Sequence, residues 1–317
     1  MIEKDKLKRQ ILAVLSFCVS AGLVFWLLTR IDYEQTMKII RQSRWQHLVL
    51  AFCFTMCIPI CSVIRWKGVL RSQKNISISC IEALRMIMAA SILNSFVPSK
   101  AGDMAKAVFI RKQCGLTSGV GMTAIERLID LMILGFLGIV GSIWSALYYG
   151  MAGGGILVCG VVVMFVLMLI LPTEKLPVPK KYRQIADDFI STFRDWFTNF
   201  GAVSQTLAGS LGSWTLSGLT ICSLGSAFCS DSEWGTMLSI FPVAILAGLI
   251  PVTISGVGTR DAVFVLLLSN HIPVEEATLI GLGYTFLGYW FLAVLGLSLF
   301  GWKMTHLSRR EEGYEGS

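Results

Sequence analysis

The chain has 317 residues, of which 54% are hydrophobic and 15% charged, with a formal net charge of +7 and a mean hydropathy of +0.68. Soluble domains carry ~45–50% apolar and ~25% charged residues, so this balance excludes an ordinary soluble globular protein. The basic residues flank apolar runs instead of forming one stripe, which argues against a nucleic-acid partner and for topogenesis and contact with anionic lipid.

Runs without Asp, Glu, Lys or Arg cover 11–28, 48–64, 131–171, 197–230, 235–259 and 277–302. A spanning helix needs ~20 mostly apolar residues, so several of these runs must be split. Lys4, Lys6, Lys8 and Arg9 precede the first run, as in a signal peptide. That run is long, however, and ends Phe25-Trp26-Leu27-Leu28 without a small-residue cleavage site, so it reads as a retained first span. With a cytoplasmic N-terminus, the second span returns near Arg65, and Lys67, Arg71, Lys74 and Arg85 follow it on the inside. Met86–Val97 is only about half a bilayer long and is followed by Lys100, Lys106, Arg111 and Lys112, the pattern of a re-entrant hairpin.

Leu128–Leu147 then crosses outward, a glycine turn at Gly153–Gly155 reverses the chain, and Ile156–Leu171 returns. Tyr182, Ile185, Phe189, Phe193 and Trp196 recur at helical spacing within a charged segment, predicting an interfacial helix. A span follows around Val203–Leu224. A second broken segment, Met237–Ile254 with Ala262–Leu268, enters from outside, and a last span ends before Lys303.

The expected fold is an all-α integral membrane protein: about six transmembrane helices plus two re-entrant helical hairpins in an inverted repeat. The chain reads as a single polytopic domain of the cell membrane over 1–317, with pseudo-repeat halves 1–150 and 151–302, a cytoplasmic tail 303–317, and both termini on the cytoplasmic side. Arg30, Lys38, Arg41 and Arg44 conflict with that orientation. The nine cysteines form no CxxC pair and only three histidines are present, so neither a metal, a cofactor nor a disulfide framework is expected.

Two stretches interrupt apolar sequence with proline, glycine and charge. They are Asn94-Ser-Phe-Val-Pro98-Ser-Lys100-Ala-Gly102-Asp103 and Pro251-Val-Thr-Ile-Ser255-Gly256-Val-Gly258-Thr-Arg260-Asp261, and each runs on into Ala-Val-Phe. Broken segments in corresponding halves of a membrane chain point to a binding site near the bilayer midplane. In the first, Asp103 is expected to cap a helix starting at Met104, with Lys100 beside free N–H groups. In the second, Ser255, Gly256 and Gly258 permit close backbone approach and Arg260 supplies a bidentate phosphate donor. The expected headgroup-binding residues are Lys100, Gly102, Asp103, Lys106, Arg127, Ser255, Gly256, Gly258 and Arg260. Glu126, Asp130 and Asp261 are expected to form a structural charge network. The bland alternative makes Lys100 and Arg260 interfacial anchors and the two aspartates simple caps. Gly135, Gly138, Gly141, Gly281 and Gly288 are expected to permit close helix packing.

Three motifs in order, Asn94 to Lys106, Glu126-Arg127-Leu-Ile-Asp130, and Pro251 to Asp261, resemble the lysylphosphatidylglycerol synthase transmembrane-region family, the flippase-like domain. The resemblance implies a polytopic protein related to the flippase half of bacterial lysyl-phosphatidylglycerol synthases and to proteins linked with polyprenyl-phosphate sugars. Lys106 stands where many members have Arg. With no soluble synthase domain before Ser317, lipid lysinylation by this chain alone is not expected.

The expected function is a translocase moving an anionic phospholipid or polyprenyl-phosphate lipid between leaflets, passively or with ion coupling, with homodimer formation left open. Two alternatives stand beside it: a glycosyl- or acyl-transferase using Asp103 or Asp261 as base, and a non-transporting partner of such an enzyme.

Overall fold

The computed structural model describes residues 2–73, 76–95, 97, 101–170, 179, 183–229, 234–250, 252, 253 and 256–298. The described elements are all helical. In chain order they are α1 (Ile2–Leu28), α2 (Tyr33–Gln42), α3 (Trp45–Leu70), α4 (Cys80–Asn94), a 3₁₀ turn (Ala101–Met104), α5 (Ala105–Cys114) and α6 (Leu116–Ser145). Then follow α7 (Tyr148–Ile170), α8 (Arg183–Thr198), α9 (Phe200–Phe228), α10 (Trp234–Leu249), α11 (Thr259–Leu268), α12 (Val274–Thr285) and a π-helical segment (Phe286–Phe291). The protein is an all-α membrane protein. Four described helices are long and apolar enough to cross a bilayer: Trp45–Leu70, Leu116–Ser145, Gly150–Ile170 and Val274–Ser298. A fifth results if Leu15–Leu28 and Tyr33–Gln42, bent by 83° at their junction, count as one span.

Lipid tails are as apolar as leucine, so helices in a bilayer associate through close packing of small residues more than through hydrophobicity. The glycines show where that happens. A Cβ at Gly68 would stand 2.6 Å from the Thr206 backbone nitrogen, and one at Gly209 would collide with the backbone of Arg65. These contacts set α3 flat against α9, the most extensive pairing in the molecule. Gly135 packs on α7, while Gly141 packs on α10 beside the Ser142–Ser239 hydroxyl pair at 2.8 Å.

The chain reversal expected at Gly153–Gly155 lies elsewhere. α6 ends at Ala146, a left-handed residue with φ 56°, and the three glycines sit inside α7. Gly150 and Gly154 are packing surfaces there: a Cβ at either would run into the Gly138 or Gly135 carbonyl of α6. Gly150 and Gly154 thus serve helix contact, whereas a Cβ at Gly153 or Gly155 would meet nothing within 4 Å.

α9 is the central helix. Thr206, Ser210, Ser213, Ser217 and Thr220 are buried along it, and all but Ser210 donate to the carbonyl four residues back, which lets polar side chains sit inside a membrane bundle. α8 lays Phe193 and Trp196 against Phe165 of α7, with ring centroids 5.0 and 6.2 Å apart, and leaves Ile185 and Phe197 exposed. It is thus an amphipathic helix docked on the bundle.

Candidate functional site

The first broken segment is α4, the 3₁₀ turn and α5. The helix start expected at Met104 is displaced by one residue, and no side chain caps it. Asp103 turns elsewhere: its Oδ2 lies 3.2 Å from Arg127 Nη1, and its Oδ1 accepts from Asn94 Nδ2 at 3.2 Å. The capping role expected of Asp103 is therefore replaced by an inter-helix ion pair, because a cation is within reach and a caps-only aspartate at that depth would be unbalanced. Gly102 allows the approach, since a Cβ there would stand 2.8 Å from Asn94 Oδ1.

Around Asp103 six charged side chains converge from four elements. Arg65 of α3 reaches Glu126 Oε1 at 2.6 Å and Asp130 Oδ1 at 2.9 Å. Lys106 of α5 pairs with Glu126 Oε2 and lies 4.8 Å from the Trp66 ring centroid. Arg127 spans Asp103, Glu126 at 3.2 Å and Asp130 at 3.0 Å. Ser210 of α9 donates to Asp130 at 2.8 Å. Glu126 and Lys106 are sealed, whereas the Arg127 side chain keeps 26% of its surface exposed, the most of the six. A charge at membrane depth costs at least ~2.5–3.5 kcal/mol when unpaired, and the reciprocal pairing removes most of that penalty.

The cluster faces a cavity of about 140 Å³. Arg65, Asp103, Lys106, Arg127 and Asp130 line one wall, and Ser62, Ser91, Asn94, Ser213 and Ser217 add polar groups. Trp214, Tyr284 and Tyr289 form its aromatic lining.

Tyr284 and Tyr289 share that wall because of the π-helical segment. Residues five apart on an α-helix lie roughly 140° apart around the axis, whereas a π turn brings them onto one side. Their ring centroids are 6.3 Å apart, and Gly288 between them opens onto the cavity.

The second broken segment is closed. Gly256 and Gly258 have positive φ, 74° and 97°, and a Cβ on Gly256 would stand 2.6 Å from the Gly248 carbonyl. Asp261 Oδ2 accepts the Gly258 N–H at 3.1 Å, so the donor expected to receive a ligand is taken by the chain's own carboxylate. Arg260 is 3% exposed and donates to Asp261 Oδ1 and to Thr285. Its guanidinium lies 4.1 Å from the Tyr289 ring centroid and 5.5 Å from that of Tyr284. Arg260 does not line the central cavity. Tyr284 separates that cavity from a void of about 10 Å³ at Arg260.

The sequence profile of the lysylphosphatidylglycerol synthase TM region matches residues 13–296. The chain belongs to this family. A UPF0104 membrane protein of Methanocaldococcus jannaschii is 24% identical over 220 residues, which cover 66% of this chain and 92% of the archaeal protein. The matched span contains every residue of both clusters.

Of the residues singled out from the family motifs, the structure joins Gly102, Asp103, Lys106, Glu126, Arg127 and Asp130 in one site and places Gly256, Gly258, Arg260 and Asp261 in the other. Lys100 and Ser255 lie outside the described residues. Sequence reading missed Arg65, Tyr284, Tyr289 and Ser210. Arg65 was readable as a loop charge, but Trp66, Val69 and Leu70 continue the apolar face beyond it, the sign that α3 carries it inward. Among the described residues, no group of three His, Cys, Asp or Glu side chains is placed to hold a metal ion.

Proposed function

We propose that this protein moves a lipid with a phosphate headgroup, an anionic phospholipid or a polyprenyl-phosphate-linked lipid, between the leaflets of the cell membrane. The reading is carried by the charge-lined cavity between spanning helices α3 and α6. At about 140 Å³ it is headgroup-sized, well below the ~300–1,000 Å³ of pockets that enclose a whole drug-sized ligand. The headgroup enters, and the acyl chains stay in lipid. Among the described residues Arg127 is the most exposed cation of the cluster, and its fork of N–H donors suits two phosphate oxygens at once.

Translocation is favoured over group transfer by the state of the acids. Asp103 and Asp261 are both engaged by guanidinium groups, so the oxygens that a general base would use are already paired within the chain.

Reconstitution in liposomes with fluorescent phosphatidylglycerol tests this. Wild type should equilibrate the probe between leaflets, and Arg127→Gln should slow it at least tenfold. An inactive wild type with several phosphate lipids, or an unaffected Arg127→Gln, would sink the reading. Mass-spectrometric detection of a modified lipid would replace it with the transferase.

A further inference from the structure

The cavity has more room than a phosphate needs. A buried water requires ~10–15 Å³ of such space, so about 140 Å³ admits a phosphate together with further atoms of the headgroup. The lining says what those atoms meet. Ser91, Ser213 and Ser217 each carry one hydroxyl proton, and each donates it back along its own helix. The acceptors are the Ile87 carbonyl at 3.0 Å, the Gly209 carbonyl at 2.9 Å and the Ser213 carbonyl at 3.0 Å. What these serines offer a guest in the cavity is therefore an accepting oxygen. A phosphodiester has no donor to give them, so they fit a different part of the ligand.

The donors that lipid headgroups carry are ammonium or hydroxyl groups, and the surroundings favour hydroxyl. The rings of Tyr284 and Tyr289 already hold a cation, since the Arg260 guanidinium stands 5.5 and 4.1 Å from their centroids. A second cation drawn to the same rings would be repelled by it. Arg65, Lys106 and Arg127 also line the cavity, and the two acids that line it, Asp103 and Asp130, are engaged by these cations. A neutral carbon skeleton bearing hydroxyls meets no such repulsion. Its C–H groups, made positive by the adjoining oxygens, suit the negative ring faces, while its O–H groups suit the serine oxygens.

We propose that the cavity selects a lipid whose phosphate carries a hydroxyl-rich unit, a polyol or a sugar, with the tyrosine rings and the serine oxygens as the contacts of that unit and Arg127 as the contact of the phosphate. This names the substrate class within the lipid reading of the cavity and rests on it. The π-helical segment is what makes the aromatic part available, because it sets Tyr284 and Tyr289 side by side where an α-helix would turn one of them away.

The test compares four dioctanoyl lipids for binding to the detergent-solubilised full chain. Phosphatidylglycerol and phosphatidylinositol carry hydroxyls, phosphatidylmethanol has the same phosphodiester charge without a hydroxyl, and phosphatidylethanolamine carries an ammonium. The two polyol lipids should bind about tenfold more tightly than phosphatidylmethanol, the worth of one or two hydrogen bonds. Phosphatidylethanolamine should bind no more tightly than phosphatidylmethanol. In the double variant Ser91→Ala/Ser213→Ala the polyol lipids should fall to the level of phosphatidylmethanol, whose own affinity should stay within about twofold of wild type. Alanine keeps both helices intact.

Equal wild-type affinity for phosphatidylmethanol and the polyol lipids overturns the proposal without need of any variant. If Arg127→Gln then weakens all of them together, the lipid reading still stands. Tighter binding of phosphatidylethanolamine than of phosphatidylmethanol overturns the proposal in favour of an ammonium headgroup. A polyol preference that survives in the double variant overturns the role of these serines. Glycerophosphoglycerol, a headgroup without acyl chains, should displace phosphatidylglycerol poorly. Parity between the two would make the ligand a soluble polyol phosphate and overturn the lipid reading along with the proposal, as would failure of all four lipids to bind.

Discussion

The two broken segments are built from the same residue types and end in opposite states. In the first, cations and acids come from α3, the 3₁₀ turn, α5 and α6, and they meet at the wall of a cavity. In the second, Arg260 and Asp261 are neighbours on α11, closed off by Thr285 and two tyrosines. A charge group assembled from several helices can be rearranged by moving any one of them. A pair on one helical turn moves as a unit and serves as an anchor. On the proposed reading, recognition falls to the first segment and rigidity to the second.

The largest effect that could break this contrast is at Glu126. Glu126→Leu removes the acid that Arg65, Lys106 and Arg127 share, and breaking a buried pair costs ~3–5 kcal/mol, so thermal unfolding in detergent should drop sharply or folded protein be lost. A melting temperature close to wild type would mean that the first cluster is not held by this acid.

Arg260→Met should destabilise by about 3 kcal/mol, because Asp261 is left buried without its cation. Lipid movement per folded molecule should change less than twofold. A loss of transport matching that of Arg127→Gln would erase the distinction between the segments.

Gly209→Val pushes α9 away from the Arg65 backbone and should cost about 2 kcal/mol by overpacking. Headgroup affinity should fall with it, since Arg65 holds Glu126 and Asp130. An unchanged affinity would show that Arg65 can be displaced without consequence.

The smallest expected effect is at Tyr289. Tyr289→Leu removes a ring 4.1 Å from the Arg260 guanidinium and should cost about 1–2 kcal/mol, read as a lowered melting temperature. Tyr289→Phe keeps the ring face and should melt close to wild type.

The membrane class and helical content were legible because they depend on composition and run length. The motif residues of the first cluster were also legible, since charge inside apolar sequence is conspicuous. Their partnership was not: Arg65 and Glu126 are 61 positions apart, and the glycine contact of α9 with the Arg65 backbone leaves no local trace around Arg65. Asp103 read as a cap because capping is the local solution for an aspartate at a helix start, and the competing long-range cation leaves no local trace. Gly153–Gly155 failed for the converse reason. Glycine breaks helices in water, but in a bilayer it is also the residue that lets two helices touch. The π turn hides the Tyr284–Tyr289 pair, because five-residue spacing has no meaning on an ordinary helical wheel.

The balance of charge around the cavity has an electrical consequence. Moving one elementary charge through a membrane potential involves ~2.3 kcal/mol per 100 mV. Among the described residues, three positive and three negative groups travelling together do no net work against that field. On the lipid-movement reading, a voltage dependence of transport would therefore report charges other than these six, the cargo's among them.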